Sequence, residues 1–153
     1  MYFFIRFMCF VIHKLFTIFS ECPEGTEKFR NHCYFPSFKG VAKAETPPRN
    51  WKDARDFCKE ELPKRFPNMT YDLVSLQDAD EYEFLISNDW SELYQTYKES
   101  FAIWIGLNDL EKEDDWRWSD GSSFEYPIPG STPWLSSEPN NHGVCTLINK
   151  LSI

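Results

Sequence analysis

Cys9, Cys22, Cys33, Cys58 and Cys145 are spread along the whole chain, and no two of them form a Cys-x-x-Cys pair. The histidines His13, His32 and His142 are equally scattered. Neither pattern gathers the ligands of a zinc site. Widely spaced cysteines read instead as disulfides made in an oxidising compartment, so distant segments must be tied together. The 153 residues suffice for one domain with its own core. Aromatic residues make up 18% of the chain, including six Trp, which fills a core with large rings and excludes a disordered tail.

The formal charge of −8 repels phosphate backbones and argues against a nucleic-acid partner. The same carboxylates keep a small secreted protein soluble and supply hard oxygen ligands of the kind calcium takes. Catalysis finds no support. The chain has no phosphate loop, nucleophile elbow or metal-binding histidine motif. Asp114 and Asp115 are adjacent acids in a charged run, a poor arrangement for facing one pocket.

Residues 1–20 are mostly apolar, interrupted by Arg6, His13 and Lys14. No uninterrupted run reaches the ~18–20 residues of a membrane-spanning helix. A basic residue followed by a short apolar run fits a secretory signal peptide ending at Ser20. A signal anchor, with Lys14 snorkelling, and a misplaced gene start are the alternatives. Removal of the leader takes Arg6, Lys14 and Cys9 with it. The charge then becomes −8 − 2 = −10, and four cysteines remain. Asn68-Met69-Thr70 is a glycan acceptor sequon and expects a surface position in the secretory pathway.

The domain proper is expected over 22–153. Cys22-Pro23-Glu24-Gly25 opens it with a turn signal. Residues 28–35 read as a hairpin turning near Asn31, and the eleven-residue spacing of Cys22 and Cys33 suits a bridge between its paired strands. Asn50 is placed to cap a helix from Trp51, which Pro63 should end. A short strand over 72–76 follows, then a helix from Asp78 or Asp80 faced by Tyr82, Leu85, Ile86 and Trp90. Residues 101–107 (FAIWIGL) read as a buried strand. Trp116-Arg117-Trp118 alternates like a half-buried strand. Pro127, Pro129, Gly130, Pro133 and Pro139 then make a long loop of the kind that carries function. Cys145-Thr146-Leu147-Ile148 is a last strand.

The order of motifs carries more information than any one of them. Cys22-Pro23 and Cys33-Tyr34 precede Trp51-x-x-Ala54-x-x-x-Cys58, then Leu73-Val74-Ser75-Leu76 and Trp104-Ile105-Gly106-Leu107-Asn108-Asp109. Trp116-x-Trp118-Ser119-Asp120-Gly121, Trp134 and Glu138-Pro139-Asn140-Asn141 complete the series. Over about residues 22–148 the set resembles the C-type lectin-like domain in its long form, with the extra N-terminal hairpin. The resemblance implies an α+β fold in which two helices flank small antiparallel sheets and a long loop region carries the ligand site.

It also implies roles. In the family the Glu and Asn that match Glu138 and Asn140 ligate calcium and hydrogen-bond two adjacent sugar hydroxyls, aimed together by a proline that is cis there. Calcium accepts about six to eight oxygens, enough for protein and sugar together. Glu-Pro-Asn resembles the mannose-type preference. By position, Asp109, Glu113 and Asn141 match a second calcium site. The expected partners are glycans with mannose-like adjacent hydroxyls, or a protein ligand in a metal-independent variant of the domain. The expected location is extracellular, or single-pass membrane if the leader is an anchor.

The pattern also breaks. Val144 stands before Cys145 where the family has an acid, and the later Trp-Asn-Asp is not found before Ile153. The calcium ligand set is therefore incomplete. The resemblance pairs Cys22 with Cys33 and leaves Cys58 and Cys145 without their C-terminal partners; the two could pair with each other in principle, but the family positions them apart. An incomplete gene model, a splice variant or a degenerate copy would each end this way.

Overall fold

The computed structural model describes residues 4–12, 22–36, 50–67, 69–87, 101–126 and 145–150. Its sheet is organised around strand β1 (Phe4–Ile12), which the sequence suggests as the apolar part of a leader. Six of these nine residues are aromatic or β-branched, which also makes a good strand. On one edge β1 pairs antiparallel with β3 (His32–Pro36), in the register Met8↔Pro36, Cys9↔Phe35 and Phe10↔Tyr34. On the other it pairs with β4 (Thr70–Leu73), from Cys9↔Leu73 to Ile12↔Thr70. Its first residues run parallel to β5 (Phe101–Asn108), from Phe4↔Phe101 to Phe7↔Trp104. Strand β2 (Glu27–Phe29) pairs with β3. Strands β6 (Arg117–Trp118) and β7 (Cys145–Lys150) both pair antiparallel with β5.

The β2–β3 hairpin turns through Arg30, at φ 51°, and Asn31. The expected Cys22–Cys33 disulfide ties the domain's opening to β3, with 5.6 Å between the Cα atoms. Helix α1 (Trp51–Asp56) starts where its cap signal places it. The Asn50 side chain accepts from the Asp53 amide at 2.9 Å and closes the first turn.

Pro63 does not end this helix. The chain widens into a π-helical segment, Phe57–Glu61, and continues into α2 (Leu62–Arg65) with Pro63 in its first turn. The wider i→i+5 turns interrupt the regular ladder just before the proline, where a missing N–H costs nothing. Helix α3 (Ala79–Ser87) is capped by Asp78, whose carboxylate accepts from the Glu81 amide at 2.9 Å. No helix among the described residues is long and apolar enough to cross a membrane.

Two apolar clusters form the core. One gathers Val74, Leu76, Leu85, Ile105, Leu107 and Trp118. The other sets Trp51, Ala54, Cys58 and Leu62 against Phe35 and Leu73. Trp51 donates its indole N–H to the Ile105 carbonyl at 2.6 Å, which locks α1 to β5. The strand expected over 72–76 ends at Leu73. Val74 to Leu76 remain buried, and the Gly106 amide donates to the Val74 carbonyl at 2.8 Å. Gly106 is required at this crossing. A Cβ there would lie 2.7 Å from Ser119 Oγ and 3.1 Å from the Leu73 carbonyl.

Two buried carboxylates, Asp72 and Glu81, are paired across the core. Asp72, 1% exposed, accepts from Arg55 Nε at 3.0 Å, Lys59 Nζ at 3.3 Å, Ser119 Oγ at 2.9 Å and the Leu73 amide at 2.8 Å. Burial pushes this carboxyl up. The Arg55 and Leu73 hydrogen bonds, the Arg55 charge and the Ser119 hydroxyl outweigh it and hold the group below the usual range. Glu81 is also buried and accepts from the Tyr34 hydroxyl and the Gln77 amide. Cys58, fully buried, is disulfide-bonded, which corrects the expectation that it lacks a partner. Its location in the core cluster beside β3 and β4 brings it within reach of segments that the sequence order keeps remote.

Candidate functional site

The described part of the site is the end of β5 and the turn that leads to β6. Asn108 holds the two strands together there. Its side-chain amide donates to the Gly106 carbonyl at 2.9 Å and the Arg117 carbonyl at 3.2 Å. Asp109 follows, 5% exposed. Its Oδ2 accepts from the Asp114 amide at 3.1 Å, and its carbonyl accepts from the Lys112 amide at 3.1 Å. The turn thus wraps around the Asp109 carboxylate, with Asp114 in the left-handed region at φ 64°. Asp109 Oδ1 is buried and has no hydrogen-bond partner among the described residues. Such an orphan acceptor is costly unless a cation or another donor meets it.

Glu113 lies on the exposed side of the same turn. Arg117 neutralises the outer acids, donating to Glu111 at 2.8 Å and to Asp115 at 2.7 Å. The hydrogen bond to Asp115, with the Arg117 charge, holds that carboxyl below its ordinary range. Further along, Asp120 accepts from the Ser75 hydroxyl at 2.8 Å and from the Ser122 amide at 2.9 Å, which fixes the turn after β6.

Two of the five anticipated calcium ligands, Asp109 and Glu113, therefore sit in one turn, one inward and one outward. Glu138, Asn140 and Asn141 lie outside the described residues, as does the sequon residue Asn68. Cys145 opens β7 opposite Asn108, the residue before Asp109. Asp109 and Glu113 offer hard carboxylate oxygen, the donor type that calcium takes. The number of donors is not reached. Among the described residues no group of three His, Cys, Asp or Glu side chains is placed to hold a metal.

Sequence reading missed the Asp72–Arg55–Lys59–Ser119 cluster and the Glu81–Tyr34 pair. The one signal for the first was Asp72 within an otherwise apolar stretch; Glu81, in the acidic run 78–83, carried none.

Helices flanking small, largely antiparallel sheets fit the C-type lectin class of domain. The family model for the lectin C-type domain matches residues 47–152, and the chain belongs to that family, whose members are not enzymes. Its fold is the α+β C-type lectin-like fold. A perlucin-like protein of Mytilus galloprovincialis is 30% identical over 122 residues, 79% of this chain and 62% of the relative. C-type lectin domain family 4 member M of Hylobates lar is 34% identical over 125 residues, 80% of this chain and 25% of the relative. C-type lectin domain family 17, member A of Homo sapiens is 35% identical over 133 residues, 84% of this chain and 27% of the relative. The chain thus spans less than two thirds of each of these proteins. No solved structure matches it.

Proposed function

We propose that this lectin domain binds carbohydrate through calcium, with Glu138 and Asn140 gripping both the ion and two adjacent sugar hydroxyls of mannose-like geometry. The observation that carries the reading is Glu138-Pro139-Asn140 inside the segment matched by the family model. The orphan Asp109 Oδ1 supports it, because a buried carboxylate oxygen without a donor is chemically suited to a cation. Asn141 precedes Cys145 by four residues, a reach of at most about 14 Å. Cys145 in turn stands opposite Asn108, the residue before Asp109, so the chain length allows the two candidate regions to meet. The Cys22–Cys33 disulfide supports an extracellular or secretory setting.

Retention on immobilised mannose in millimolar calcium, release by EDTA and loss of retention in Glu138→Ala test the reading together. Retention that persists in EDTA overturns it.

A second reading is a protein- or surface-binding domain that needs no metal. Val144 favours it, since it stands where the family carries an acid. This reading expects calcium to leave the melting temperature unchanged, whereas a bound ion raises it.

A further inference from the structure

We propose that Cys9 is the residue to which Cys58 is bonded, so that β1 is a covalently anchored strand of the core. The inference goes beyond ligand binding and does not depend on it. Five cysteines occur, and Cys22 and Cys33 are bonded to each other. Cys58 is disulfide-bonded, which leaves Cys9 and Cys145 as its possible partners within the chain.

Backbone register separates the two. Cys9 stands opposite Phe35 on one edge of β1 and opposite Leu73 on the other. Directly opposed residues of antiparallel strands share a sheet face. Phe35 and Leu73 both belong to the buried cluster that contains Cys58. Cys9 is thereby placed on the face that α1 and the π-helical segment cover. Cys145 stands opposite Asn108, next to the Leu107↔Trp118 pair. Leu107 and Trp118 belong to the other cluster. The sequence separation of Cys9 and Cys58 is no obstacle, since a disulfide requires only proximity and orientation of the two residues in space.

Forming the bond joins Cys9 Sγ to Cys58 Sγ. The two thiols release two protons and two electrons, and a disulfide oxidant such as oxidised glutathione takes them up to become two thiols. A strand paired along both edges and bonded to the core cannot also be a removed leader. The two readings of residues 1–20 therefore predict different N-termini for the mature protein.

The test is non-reducing peptide mapping of the full chain, refolded in a glutathione redox buffer and digested with trypsin. The expected result is peptide 7–14 joined to peptide 56–59, separating on reduction. Cys9→Ser should lose this species and Cys145→Ser should keep it. Peptide 56–59 joined to peptide 118–150, a mixture of pairings in equal amounts, or a Cys9 thiol that alkylates in the folded protein would overturn the proposal. So would a product secreted from eukaryotic cells that begins after residue 20.

Discussion

Asp72 and Asp109 are both nearly inaccessible carboxylates, yet their surroundings differ in kind. Asp72 meets two cations, a hydroxyl and an amide contributed by α1, the π-helical segment, β4 and the residue after β6. Asp109 meets one amide of its own turn, and its second oxygen meets nothing among the described residues. The first arrangement stabilises a fold, because every buried lone pair that matters is answered. The second leaves an acceptor open near the start of β7, which is an arrangement suited to a ligand. Two acids of similar burial thus differ in how their oxygens are met.

That contrast can be broken most strongly at Asp72. Asp72→Ala should cost about 3 kcal/mol in urea unfolding. This is the low end for breaking a buried ion pair, because Arg55 and Lys59 are part-exposed and can turn to water.

The same carboxylate predicts a pH dependence. Its folded pKa lies below its unfolded one, so the stabilisation is fully present above the unfolded value. It is lost as pH falls from there through the folded value. The stability gap between the wild type and Asp72→Asn should narrow on acidification below about pH 4. A gap that widens would contradict the assignment.

Gly106→Ala tests the crossing that holds Asp72's partner Ser119 in place. A methyl group 2.7 Å from Ser119 Oγ and 3.1 Å from a carbonyl should cost about 1–3 kcal/mol in the same unfolding assay.

At Asp109 the expectation reverses. Asp109→Asn should raise calcium-free stability by about 1 kcal/mol or less, since it discharges an unanswered oxygen. It should also cancel any rise in melting temperature produced by millimolar calcium. A calcium-induced rise that survives the substitution would remove Asp109 from the site.

The smallest effect belongs to Arg117→Ala. Its ion pairs with Glu111 and Asp115 lie on the exposed side of the turn, so thermal melting should stay within error of the wild type.

Much of this fold was legible in local chemistry. The Asn50 cap, the Asp78 start of α3, the 101–107 strand and the Cys22–Cys33 hairpin follow from residues within a turn or two of each other. Pro63 was not, because a proline rule assumes a regular helix and the preceding π-helical segment is not one. Of the candidate site, only Asp109 and Glu113 fall among the described residues. The series of motifs pointed to Asp109 and Glu113, but it carried no sign that one would face inward and the other outward. The partners of Asp72 were not legible, since Ser119 lies 47 residues away in sequence.

The sequence by itself determined the family, the helix starts, the hairpin and the types of side chain available to a ligand, because these depend on neighbours along the chain or on the order of motifs. Only the tertiary structure decided that residues 4–12 form the hub of the sheet, that Cys58 is bonded, and which buried acid is satisfied. An apolar strand pairs with whatever edge the fold presents, and a carboxylate's role depends on groups brought to it from remote segments.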